Sequence, residues 1–84
     1  MPRICSFDGI EIEMYFRDHP PPHIHAFFGE DEALISISDN ALLKGSLPAN
    51  KLRKALAWTL KRQAELLENW SLRELGKPLN TLTP

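Results

Sequence analysis

Residues 10–16, Ile10-Glu11-Ile12-Glu13-Met14-Tyr15-Phe16, decide how this chain is read. Ile10, Ile12, Met14 and Phe16 are apolar and alternate with Glu11, Glu13 and Tyr15. A period of two is what a strand requires when one sheet face is buried and the other is wet. Asp8-Gly9 just before it is a hairpin turn signal, which makes Arg3–Phe7 a short pairing strand. After it, Asp18-His19-Pro20-Pro21-Pro22 interrupts the sheet, because three prolines remove three backbone donors and fix φ. His23–Phe28 reads as the next main strand, ended by Gly29-Glu30-Asp31. Glu32–Ser38 follows with Ala33, Ile35 and Ile37 on one face. Asp39-Asn40 then turns the chain into a short strand at Ala41–Lys44.

Beyond Leu47-Pro48 the pattern changes to helix. Ala49 to about Trp70 contains good helix formers and no internal Gly or Pro. Leu52, Leu56, Leu60, Gln63, Leu67 and Trp70 advance by three or four, with Ala55, Thr59 and Leu66 flanking, a stripe expected to face the sheet. Lys51, Lys54, Trp58, Lys61 and Arg62 are expected on the opposite, wet side. Leu72–Leu75 reads as a short second helix that Gly76 and Pro78 end. Strands first and helices after indicate an α+β fold. The expectation is a small antiparallel sheet of three to four strands, then a long amphipathic helix and a short C-terminal helix packed on one face. Residues 1–84 form a single domain: a sheet half (1–46), a helical half (47–78) and an extended tail (79–84).

Eighty-four residues, 43% hydrophobic and 25% charged, suit one soluble domain with one modest core. No apolar run approaches the ~20 residues of a membrane span, and no signal-peptide pattern follows Met1. A lone cysteine, Cys5, offers neither an internal disulfide nor a thiolate cluster and fits a reducing cytoplasm. It reads as a small packing residue rather than a nucleophile. Secreted staple folds, zinc ribbons and nucleotide-binding βαβ enzymes are excluded. The net charge of −1 hides a split. Residues 1–40 carry two basic and eight acidic side chains, a net of −6; residues 41–84 carry eight basic and three acidic, a net of +5. Such a dipolar surface can orient a partner.

All three histidines fall within seven residues, at His19, His23 and His25. On a strand, His23 and His25 share a face roughly 7 Å apart, from which two imidazoles can converge on a transition metal. His19 is placed to swing in from the proline loop as a third ligand, with Asp18 or Glu30 supplying an oxygen. The prolines would hold that loop at low entropic cost. Two histidines on a strand also suit a half-buried polar face or a binding surface, and catalysis by histidine without metal is a further reading. His23-Ile24-His25 near Glu30 resembles the first metal motif of cupins, but no histidine follows His25. The same run is similar to a histidine-triad nucleotide hydrolase motif, but Phe27 stands where its third histidine belongs.

For nucleic acid the candidate surface is the basic helix face of Lys51, Lys54, Lys61 and Arg62, joined by Lys44 and Arg53. The acidity of the other half argues against a dedicated binder. Trp58 among these lysines would anchor a protein interface or stack a base if exposed, and would edge the core if the helix is rotated a little.

The whole chain resembles a bacterial family. The resemblance rests on Met1-Pro2-x-Ile4, Phe7-x-Gly9-Ile10, Met14-Tyr15, Asp18-His19-x-Pro21-Pro22-His23-x-His25-Ala26, Gly29-Glu30 and Ala33. Gly45-x-Leu47-Pro48, Trp58, Glu65-Leu66, Asn69-Trp70 and Gly76-Lys77-Pro78 extend it. The family is the domain of unknown function 4160. Phe27-Phe28 departs from it, since members often carry a polar or charged residue before the aromatic one. The resemblance implies a small bacterial cytoplasmic protein without an assigned activity. Members often pair with another small domain of unknown function (2442), an arrangement similar to toxin–antitoxin modules.

Three functional readings therefore stand. The first is a protein-binding module for a small companion protein such as a DUF2442 domain protein, through Trp58, Lys54, Lys61 and Arg62 or the exposed Pro21 and Pro22. The second is a metal-dependent hydrolase or phosphodiesterase holding a divalent transition metal through His19, His23, His25 and Glu30. The third is direct nucleic-acid binding. A shared edge strand could also make a homodimer, because a small open sheet leaves edges to cover.

Overall fold

The computed structural model describes residues 3–84; the Met1-Pro2 start of the family resemblance lies outside them. Five strands run in chain order: β1 (Arg3–Phe7), β2 (Ile10–Glu13), β3 (His23–Phe28), β4 (Asp31–Ser36) and β5 (Ala41–Gly45). They pair as an antiparallel meander, β1-β2-β3-β4-β5. The α+β class is as expected, but the sheet has five strands rather than three to four. Both short outer segments join it. At Asp8-Gly9 both residues take positive φ, 51° and 79°, and Phe7 pairs directly with Ile10. That is the two-residue turn whose twist matches a hairpin.

Alternation does the rest. Ile10 and Ile12 on β2, Ile24 and Ala26 on β3, and Ala33 and Ile35 on β4 are fully buried in one core cluster. Each isoleucine so buried contributes about 1.5–3 kcal/mol. β2 stops at Glu13, short of the expected Phe16. Met14 is still buried, but Phe16 is exposed. β2's last pairing to β3 is Glu13 with His25; past it the chain leaves the sheet as the loop 14–22.

The helical half departs further from expectation. Two helices of similar length, α1 (Ala49–Lys61) and α2 (Gln63–Glu74), replace one long and one short helix. Leu72–Leu75 lies at the end of α2. The break at Arg62 has no Gly or Pro in it. It is held from outside instead: Arg62 donates to Thr83 and Pro84 of the tail, and Gln63 Nε2 donates to the Ile37 and Ser38 carbonyls. The buried face keeps Trp70 and the flanking Ala55, Thr59 and Leu66 of the expected stripe but is turned to take in Trp58 and release Leu60. Ala55, Trp58 and Thr59 of α1 and Leu66, Asn69, Trp70 and Arg73 of α2 face inward, while Leu60 is 57% exposed. α2 ends where Gly76, at φ 70°, lets Lys77 N–H reach the Leu72 carbonyl at 2.9 Å.

The tail runs without regular structure but is pinned. Leu82 N–H donates to the Ile4 carbonyl, and Asn69, wholly buried, exchanges two 2.9 Å bonds with the backbone of Asn80. The β1 edge is therefore partly covered, whereas every residue of β5 is exposed, including Leu42 and Leu43. No helix among the described residues is long and apolar enough to cross a membrane.

Candidate metal centre

Because Ile24 and Ala26 point into the core, His23, His25 and Phe27 project from the other face of β3. An open face would leave them wet, yet His23 is only 4% and His25 only 7% exposed. The loop 14–22 supplies the cover. Tyr15 sets its ring 4.3 Å from that of His25, and Asp18 brings its carboxylate down between the two imidazoles. Trp70 of α2 closes the third side, 5.3 Å from the His23 ring.

Both Nε2 atoms meet one oxygen. His23 Nε2 lies 2.9 Å and His25 Nε2 2.8 Å from Asp18 Oδ2. Each ring's other nitrogen is tied outward. His23 Nδ1–H donates to the Pro21 carbonyl at 2.8 Å, and His25 Nδ1 stands 2.8 Å from Glu32 Oε2. Pro21 O can only accept, so the proton on His23 sits at Nδ1 and Nε2 is turned toward Asp18. Asp18, His23 and His25 thus present three ligand atoms within 4.8 Å of one another. Burial pushes the Asp18 carboxyl up, but hydrogen bonds and charge from His25 and His23 outweigh it and hold the group below its ordinary value.

Four ring nitrogens therefore face four acceptors, counting Asp18 Oδ2 twice. Two neutral imidazoles carry only two N–H groups. Two of the four contacts therefore have no N–H when both rings are neutral, and a cation held by Asp18, His23 and His25 would satisfy them.

Two acidic or phenolic groups border the cluster. Glu13, the cross-strand partner of His25, is 9% exposed, and its Oε1 has no hydrogen-bond partner among the described residues. Burial, the neighbouring Glu13 carboxylate and the negative charges of Glu32 and Asp18 push the Tyr15 phenol up to about 12, so it stays protonated.

The expected ligand set is partly redrawn. His23 and His25 converge as the strand spacing implies, and Asp18 is the oxygen beside them. His19 and Glu30 do not join them: both are exposed, His19 on the loop and Glu30 in the Gly29-Glu30 turn. Glu32, Tyr15 and Glu13 escaped the sequence reading. Glu32 was readable from the turn, since a two-residue Gly29-Glu30 hairpin pairs Phe27 with Glu32 and puts Glu32 on the His25 face.

The other candidate surface is altered more. Trp58 is 4% exposed rather than standing among the lysines. Its ring packs 5.6 Å from Phe7, and its Nε1–H donates to the Thr83 carbonyl at 3.0 Å. Only its margin reaches a shallow groove of about 420 Å³ shared with Phe7, Asp8, Lys54, Ala57, Lys61 and Pro84. Lys54 pairs with Asp8 at 3.4 Å and Arg62 is spent on Glu65 and the tail, leaving Lys61 as an exposed cation there. Pro21 is exposed, but its carbonyl serves His23; the Pro22 carbonyl accepts from Ile37 N–H. Cys5 is buried, and burial raises its thiol above the ordinary range, against nucleophilic use.

No curated protein and no solved structure matches the chain. A family model does, over residues 9–71, a span that takes in Asp18, His23, His25 and Glu32. The chain belongs to the family described as Domain of unknown function (DUF4160).

Proposed function

We propose that Asp18, His23 and His25 bind one divalent transition-metal ion, and that the ion serves as an open catalytic centre for hydrolysis. The observation that carries this reading is the donor count: four contacts to three acceptor atoms around a histidine pair that carries two N–H groups when neutral. Ring nitrogens tied outward to a carbonyl and a carboxylate are the usual means of aiming imidazoles at a metal. Bonds of 2.0–2.1 Å at right angles put neighbouring ligand atoms about 2.9 Å apart, against about 3.3 Å in a tetrahedron. Two of the three sides, 2.9 and 2.8 Å, match the right-angled spacing, and the two Nε2 atoms, within 4.8 Å of each other, would draw together on an ion. Two histidines and one carboxylate with open positions are the ligand set of a six-coordinate reactive ion. When bound, it would supply Lewis-acid activation of water or of a substrate oxygen.

Titrating the purified chain with Co²⁺, Mn²⁺, Ni²⁺ and Zn²⁺ tests this. One ion per chain, with affinity lost in His23→Ala and in His25→Ala, is expected. No stoichiometric binding would leave the cluster as a hydrogen-bonded polar network, and the reading would fall. The bare β5 edge favours a second reading, docking of an extended strand from a small companion protein. Co-expression with a DUF2442 domain protein should then yield a complex that Leu43→Arg disrupts; an unaffected complex would rule that edge out.

A further inference from the structure

We infer that Arg73 is the positioning residue of this centre, holding the loop that delivers Asp18 so that its carboxylate meets both histidines. The inference rests on the metal reading above and adds the device that keeps its oxygen ligand in place. Asp18 comes from a loop with no ladder of its own. Its side chain is committed to the two imidazoles, so its backbone must be fixed by something else. Arg73, 8% exposed and carried by α2, does this: Nη1 donates to the Phe16 carbonyl at 2.8 Å and to the Asp18 carbonyl at 3.1 Å. One guanidinium nitrogen thus bridges two carbonyls of the segment that carries the ligand.

The guanidinium is in turn fixed by Trp70, with its central carbon 3.5 Å from the indole centroid. Trp70 and Arg73 are one turn apart on α2. The first lies against His23 and the second holds Asp18, so one turn of helix fixes two ligands from different segments relative to each other. Arg73 has no carboxylate partner among the described residues, and its Nε has no acceptor. A buried cation without a counter-ion is costly to keep, and an apolar side chain over Trp70 would suit packing alone. What the apolar side chain lacks is the grip on the two carbonyls.

The test is a Co²⁺ titration of the full chain as wild type, Arg73→Met, Asp18→Ala and the double variant, with folding checked by circular dichroism. Removing partners that orient metal ligands commonly costs about 10–100-fold in affinity. Arg73→Met should lose that much alone and less than about twofold once Asp18 is already Ala, because it acts through Asp18. Arg73→Lys, which keeps a buried cation but not the planar fork, should fall between and guards against a Met variant that does not fold. Wild-type affinity in both Arg73 variants, or an equal loss in both Asp18 backgrounds, overturns the positioning role. Failure of the metal reading looks different: the wild type itself would bind no Co²⁺, and both inferences would go.

Discussion

Replacing Glu32 probes how the histidine pair is aimed. Of the two outward ties, His23's runs to a backbone carbonyl and cannot be deleted, whereas His25's runs to the Glu32 carboxylate at 2.8 Å. Loss of such an orienting partner costs about 10–100-fold in metal affinity. The Glu32 side chain is 42% exposed, so water screens part of its charge and the lower end applies. Glu32→Leu should weaken Co²⁺ binding about tenfold, about 1.4 kcal/mol. Glu32→Gln keeps an acceptor for Nδ1–H without the charge and should lose only about two- to threefold. Glu30→Gln supplies the control, since it removes the same charge two residues away from a side chain outside the cluster. Competition titration against a coloured chelator at physiological salt measures all three. An unchanged affinity in Glu32→Leu refutes the orienting role. An equal loss in Glu30→Gln would reduce the effect to bulk charge.

Trp58→Ala should destabilise the fold by about 3–5 kcal/mol in urea, because a buried indole, its contact with Phe7 and its bond to Thr83 all go. Lys61→Ala should stay within about 0.5 kcal/mol of wild type, and a cost below about 1 kcal/mol for Trp58→Ala would mean the indole is a surface group after all. Gly45→Ala should destabilise the β4–β5 pairing, since φ is 77° and an added Cβ would overlap the Glu32 carbonyl; a neutral result by thermal melting would contradict that approach. In the metal-free chain, Asp18 has a folded value below its unfolded one, so its stabilisation is present above the unfolded carboxylate range. It is lost as pH falls through the folded value. The stability gap between wild type and Asp18→Asn, followed by urea unfolding from pH 7 downward, should therefore narrow in acid; a gap independent of pH would show that Asp18 gains nothing from ionisation.

The inner strands were legible because Ile10 and Ile12, Ile24 and Ala26, and Ala33 and Ile35 recur with a period of two, while the outer β1 and β5 were marked by the turns beside them, Asp8-Gly9 locating the first hairpin to the residue. Where reading failed, the determinant was tertiary. The helix stripe through Leu52, Leu56 and Leu60 is a genuine apolar row. However, the larger Trp58 wins the interior because Phe7 lies across from it and the Thr83 carbonyl satisfies its N–H. The break at Arg62 leaves no trace in propensity, since the groups that hold it lie in the tail and the β4–β5 loop. At the site, the spacing of His23 and His25 marked the pair, but the rest of the cluster depended on register. Taking Gly29-Glu30-Asp31 as the turn hides which acidic residue shares the face of His25. A two-residue Gly29-Glu30 loop identifies Glu32 at once.

The second face of the sheet gives the strongest argument that this cluster is more than packing. A five-stranded meander with helices on one side can leave its other side wet, as the half-buried Glu11 and exposed Lys44 positions do elsewhere on the sheet. Here a loop has been brought across that face, over two buried imidazoles and a buried Glu13 oxygen without a partner, with its own Asp18 carboxylate half-buried among them. Leu or Val at His23 and His25, with an apolar residue at Asp18, would cover the same area without desolvating any of them. Burying polar groups where apolar ones suffice lowers stability, and natural sequences concentrate such departures at functional sites. In this chain the departures fall together around one oxygen, Asp18 Oδ2. A divalent ion at that point would supply the charge and the contacts that the histidine pair lacks.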